Sequence, residues 1–198
     1  DLGEIYYIYS SRLNLGRVRK DENAMWSLAP HDISVALFLL EETPEAVSAQ
    51  GMAFLRPDIE DTVFLTMRFP DKKIAHCHVS WLDPNKVRRI TVVGDAKMAV
   101  FDDVESTEKL RIYDKGVTQL EYSSYGEAMT LRFGDIHIPH IEMQEPLKLE
   151  CQHFLDCIAD GRAPLSDGYD GLRVLQVLEA GQRSLESAGQ FVPIGGEA

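Results

Sequence analysis

The chain has 198 residues, 44% hydrophobic and 26% charged, which suffices for one large folded domain and is too apolar for wholesale disorder. A formal net charge of −12 repels phosphate backbones and excludes nucleic acid as a general partner. No apolar run approaches the roughly 18–20 residues that cross a bilayer.

Ile5–Leu13, rich in Tyr and Ile, predicts a first strand. Asn14–Trp26 is polar and predicts a loop over a site; Arg17, Arg19 and Lys20 lie within it and Arg12 adjoins it. Pro30 predicts the first turn of a helix with Ile33–Leu40 as its body, and Pro44 in "EETPEA" stops it. The period then becomes two. Val63, Leu65, Met67 and Phe69 alternate with Thr62, Phe64, Thr66 and Arg68, and "FPDKK" turns this strand into Ile74–Trp81 as a hairpin. Further short strands are predicted at Arg89–Val93, Met98–Phe101, Leu110–Tyr113, Val117–Tyr122 and Ala128–Phe133. The turns between them are "DPN", "GD", "DKG", "SSYGE" and "FGD". Such short connections require antiparallel neighbours.

Helical period returns after Pro146, where Leu147, Cys151, Phe154, Leu155 and Ile158 form one stripe that Gly161 ends. A second helix carries Leu172, Leu175, Leu178 and Leu185 on one face, Gly189 stops it, and "QFVPI" is a short terminal strand. This order predicts an α+β fold, one large, mostly antiparallel β-sheet with helices on one face.

His31 and Asp32 are the first chemical candidates. At the predicted helix N-terminus the backbone N–H groups disfavour an imidazolium, so a neutral His31 can accept a proton from a sugar or alcohol hydroxyl. Asp32 can cap the helix or hold the imidazole. The plainer alternative is a first-turn acid beside a packed polar ring. Arg12, Asn14, Arg17, Arg19, Asn23 and Trp26 are the second candidates, because guanidinium forks bind phosphate or carboxylate and an indole stacks on a base or sugar. Read singly, each is a residue of a solvated turn. His76 and His78 share a strand face, but no further metal ligands stand at a recognisable spacing, and no metal is expected. His137 and His140, three apart on an extended segment, point different ways and are likewise read as structural. There is no GxGxxG, P-loop, HExxH or GxSxG. Cys77, Cys151 and Cys157 are odd in number without a CxxC, the usage of a reduced, cytoplasmic protein. The start at Asp1, directly ahead of a strand, leads to the expectation of a piece of a longer protein.

The stretches "LGEIYYIYSSRLNLG", "NAMWSLAPHDISVALFLL", "HVSWLDPNKVRRITVVGDAKMAVFDD", "EKLRIYDKG" and "EPLKLECQHFLDCIADGRAPLSDGYDGLRVLQVLEA" carry a resemblance. In order, and over essentially the whole chain, they resemble the C-terminal domain of the Gfo/Idh/MocA oxidoreductases. Within that family they resemble most the bacterial nucleotide-sugar 3-dehydrogenases, of UDP-N-acetylglucosamine or glucuronate type. The resemblance implies that residues 1–198 are a substrate-binding and oligomerisation domain with a large open β-sheet. An absent N-terminal Rossmann domain would bind NAD or NADP and supply a lysine that assists the active-site histidine.

By the same resemblance His31 is the catalytic histidine, and Arg12, Asn14, Arg17, Asn23, Trp26 and Asp32 fall in the segment lining the substrate pocket. Asp167 to Gly171 fall near the helix that returns to the cofactor domain. The open sheet face, with Thr62, Phe64, Thr66 and Arg68, would join copies into a homodimer or homotetramer. The implied substrate is a sugar or nucleotide sugar. Two rival readings are a non-catalytic assembly or ligand-sensing member, and a dehydrogenase of free sugars or inositol. One departure bears on them. Many relatives place aspartates four residues before and three after the histidine, where this chain has Ser27 and Ser34.

Overall fold

The computed structural model describes residues 2–118 and 130–195. In chain order these form β1 (Ile5–Leu13), α1 (Ala24–Leu40), β2 (Ala46–Met52), β3 (Thr62–Arg68), β4 (Ile74–Ser80), β5 (Val87–Gly94), β6 (Met98–Asp102), β7 (Leu110–Thr118), β8 (Thr130–His137), α2 (Pro146–Asp160), α3 (Gly168–Glu186) and β9 (Val192–Pro193). All the strands lie in one open sheet of order β8-β7-β6-β5-β1-β4-β3-β2-β9. Every neighbouring pair is antiparallel except β1 with β4, whose long connection through α1, β2 and β3 makes a parallel pairing feasible. Among the described residues no helix is long and apolar enough to cross a membrane.

The core forms where α1 and α3 cover β1 to β4 and β2. The alternation of β3 sends Val63, Leu65 and Met67 under the helices, where they are fully buried with Val47, Ala75 and Val79 of the neighbouring strands. Met25, Ala29, Ile33 and Leu37 of α1 meet them from above, as do Val177 and Leu178 of α3. Gly181 brings α3 close to this layer: a Cβ there would stand 2.8 Å from Met25 Sδ and 3.0 Å from Leu65 Cδ1.

Three expectations change. The first helix begins six residues before Pro30, because Asn23 caps it by accepting from Trp26 N at 3.2 Å. Pro30 therefore sits inside α1, where its missing N–H is tolerated because the buried stripe from Met25 to Leu40 holds the helix on the sheet. Next, "DKG" is not a turn. Leu110–Thr118 is one strand, and the disturbance at that place is a register shift between Tyr113 and Lys115 against β8. The predicted residues 119–122 and 128–129, with the "SSYGE" turn, lie outside the described residues. Finally, β2 has no sequence prediction; "AVSAQGM" is poor in strand formers, and pairing with β3 on one side and β9 on the other makes it a strand.

The α2 stripe also behaves unexpectedly. Leu147, Phe154, Leu155 and Ile158 are each more than half exposed, as are Leu165 in the connection and Leu172 and Leu175 of α3. Only α1 and the later half of α3 pack on the sheet; α2 stands away from it with its apolar residues uncovered.

One ion pair ties α1 to the sheet at depth. Arg12 of β1 donates through Nε to Asp32 Oδ2 at 2.5 Å, with side-chain exposures of 18% and 2%. Below it lies Cys77 of β4, whose thiol is pushed up to about 12 by burial, with the nearby Asp32 charge adding to the effect. Removing one partner strands a buried charge. Arg12→Met is expected to lower the unfolding free energy by about 3–5 kcal/mol. Arg12→Met combined with Asp32→Leu should recover most of that in the same urea titration, and equal losses for the single and double variants would contradict the coupling. Brief iodoacetamide treatment of the native chain should label exposed Cys151 and spare buried Cys77 and Cys157, all three labelling after unfolding.

Candidate active site

The site grows from the ends of β1 and β4 and from the outward ridge of α1. After Leu13 the chain stays alongside β4, with Asn14 N donating to Ser80 O at 3.1 Å and Gly16 N to Trp81 O at 3.3 Å. This holds the following basic loop against the start of α1. The loop, Ser27 and Leu28 of α1, and Trp81 enclose a cavity of about 490 Å³ that Asn14, Arg17, Arg19 and Lys20 line. Arg19 is paired with Glu22 at 2.9 Å. Among the described residues Arg17 and Lys20 have no ion-pair partner, and with Arg19 they leave the lining net positive against the single carboxylate of Asp21.

His31 lies elsewhere on α1. It is exposed and lies in the third turn of α1 rather than the first, away from the helix N-terminus that the sequence predicts for it. It borders a second, more apolar cavity of about 860 Å³ between α1 and the first half of α3, shared with Trp26, Pro30, Ser34, Leu172 and Leu175. Ser27 is one turn before His31 on the same ridge, so the basic cavity and the His31 groove lie one helical turn apart along α1. On the α3 side of the groove, Gly168 and Gly171 have nothing within 4 Å of where a Cβ would stand. A flat ring can therefore approach the α3 backbone closely, opposite the imidazole.

The remaining sequence candidates are committed within the chain. Asn23 donates to Glu60 Oε2 at 2.8 Å and to Gln182 Oε1 at 3.1 Å as well as capping α1. Trp26 Nε1 donates to the same Gln182 oxygen at 3.2 Å, while its ring edges the His31 groove. Asp32 is neither a cap nor a partner of His31: it lies in the helix interior, buried against Arg12. The structure thus brings Asn14 and Arg17 into one cavity, His31 and Trp26 into the other, and turns Arg12, Asn23 and Asp32 to structural contacts. Ser27 figures in the sequence only as a departure from an expected aspartate, and Trp81 and Gln182 are not among its site candidates. Trp81 had a visible signal as an aromatic ending a strand beside a turn, whereas Gln182, 156 residues from Trp26, had none. No group of three or more His, Cys, Asp or Glu able to hold a metal ion occurs among the described residues.

Residues 2–100 match the family model of the GFO/IDH/MocA C-terminal domain. No curated protein sequence matches. Among solved structures the chain is similar to UDP-N-acetylglucosamine 3-dehydrogenase from Acidithiobacillus ferrooxidans, at 25% identity and a TM-score of 0.74, covering 93% of this chain and 56% of that one. The aldose-aldose oxidoreductase of Caulobacter crescentus shares the fold at 20% identity and a TM-score of 0.72, over 97% of this chain and 56% of that one. So does a dehydrogenase of Bordetella pertussis solved with NADH and UDP-GlcNAcA, at 19% identity and a TM-score of 0.69, over 99% and 56%. The chain spans little more than half the length of each of these proteins. By the matched half of its sequence and by its fold, the chain belongs to the Gfo/Idh/MocA oxidoreductase family and carries that family's C-terminal domain.

Proposed function

We propose that the chain is the substrate-binding and oligomerisation half of an NAD(P)-dependent sugar dehydrogenase, acting on a nucleotide sugar. The observation that carries this reading is His31 standing exposed on an apolar groove one turn of α1 away from a basic cavity. A sugar hydroxyl within reach of the imidazole would lose its proton to it as the carbon loses hydride. Arg17 and Lys20 would hold the anionic diphosphate of the same substrate, which the otherwise acidic surface would repel. The bound dinucleotide would supply the hydride acceptor. This chain's contribution toward that ring is the apolar wall of Leu172 and Leu175 and the bare backbone at Gly168 and Gly171, which fit a flat ring and exclude water from the reacting centre.

The exposed apolar side chains of α2 support a further domain in the whole protein. Leu147, Phe154, Leu155 and Ile158 form a face of the kind that soluble proteins cover, and the cofactor-binding domain is the proposed cover. On the opposite side, the uncovered sheet face is the proposed seat of self-association. Ser27 and Ser34 favour a second reading, a ligand-sensing member without turnover, since neither offers the carboxylate that relatives place there. A free-sugar or inositol dehydrogenase would leave the basic cavity unused.

The test is kinetic, on the two-domain enzyme. His31→Asn should lower kcat by about 10²–10⁴-fold with little change in KM. Arg17→Ala should raise KM for a UDP-sugar by about tenfold or more and leave that for the free sugar unchanged. An unaltered kcat in the histidine variant contradicts its role, and equal KM effects on both substrates contradict diphosphate recognition.

A further inference from the structure

The face of the sheet turned away from α1 and α3 carries an unusual set of side chains. Register places Tyr7 and Tyr9 of β1, His76 and His78 of β4, and Phe64 and Thr66 of β3 on it together. Phe64 is stacked on His78, with ring centroids 4.2 Å apart and planes 16° apart, and reaches towards His76 at 6.2 Å. His76 Nδ1 is held 2.9 Å from Thr66 Oγ1. Tyr7 and Tyr9 stack at 6.2 Å on the adjoining strand, and these rings remain 40–44% exposed with Phe64. A water-facing strand surface ordinarily carries polar residues at these positions.

A second copy of the chain fits this face. Five strands, β2 to β5 with β1, of about seven residues each span roughly 550 Å² in projection. Two such faces together cover about 1,100 Å², above the roughly 1,000 Å² that a specific interface requires. A two-fold contact lays the patch on itself, so aromatic rings meet aromatic rings and the imidazoles of both copies enter one interface.

We propose that self-association through this face is acid-labile, with His76 and His78 as the groups whose protonation drives the copies apart. The inference rests on the self-association reading above. Both histidines already have their pKa lowered by partial burial, and His78 also by the neighbouring His76. A partner copy adds burial in the same direction. The associated state therefore binds fewer protons, so association is strongest above the histidine pKa and is lost as pH falls through it.

The groups facing the pair do not offset this. Tyr9 lies beside His76 across β1, and Ser11 beside His78, with Arg89 of β5 next along that row. On β3, Arg68 stands beyond Thr66, seated over the Phe191 ring at 4.5 Å. The one carboxylate that favours a charged His78 is Asp83, past the end of β4.

Sedimentation of the chain at micromolar concentrations, from about pH 8 down to about pH 5, tests this. The expected result is a dissociation constant that rises on the order of tenfold or more on acidification. His76→Gln with His78→Gln should remove that rise, and Phe64→Arg should prevent association throughout, circular dichroism confirming that both variants fold. Association of constant strength across the range, or a rise that survives the double substitution, overturns the histidine inference alone. Absence of association at every pH, or association indifferent to Phe64→Arg, overturns it together with the reading of this face as the self-association surface.

Discussion

The buried ion pair between Arg12 and Asp32 sets how α1 lies on the sheet, and most of the candidate site follows from it. Asp32 is the residue after His31. With the carboxylate held down against β1, the imidazole must emerge on the outward ridge of the helix, about 100° further round. The same ridge carries Ser27 and Ser34, which open onto the two cavities beside it. Asn23 sets the start of α1 and Gln182 braces it against α3, so the helix is fixed along its length before any ligand arrives.

Two surfaces divide the remaining work. One is the His31 groove, formed by α1 and the first half of α3, whose uncovered leucines suit a neighbouring domain. The other is the far side of the sheet, where rings and imidazoles alternate with threonines. A single sheet separates them, and α1 and α3 cover its β1-to-β9 end. The candidate site and the aromatic sheet face thereby lie on opposite sides of one core.

Much of this was legible in the sequence because it depends on short-range pattern. The strand Ile5–Leu13, the alternation of β3, the two late helices and the mostly antiparallel sheet follow from period and turn residues, whereas the openness of the sheet came from the family resemblance. The start of α1 was misplaced because Pro30 is a common first-turn residue, and the competing signal, Asn23 as a cap, is equally local and quieter. β2 was missed because its strand character comes from its neighbours rather than its residues. Of the site candidates, His31, Arg17 and Asn14 were singled out by residue type, and the structure places them on the two cavities. The structural engagement of Arg12, Asn23 and Asp32 was not visible, because their partners lie 20 to 159 residues away. The apolar stripe of α2 was legible as a stripe, but period alone does not say what covers it.

The central claim is that the basic cavity and the His31 groove form one substrate site. Nuclear magnetic resonance of the His31 imidazole and the Arg17 guanidinium during titration with ligand tests it most directly. A UDP-sugar is predicted to shift both signals together, and UDP alone to shift Arg17 while leaving His31 in place. A UDP-sugar that binds without moving either, or UDP that moves His31 by itself, would contradict the account.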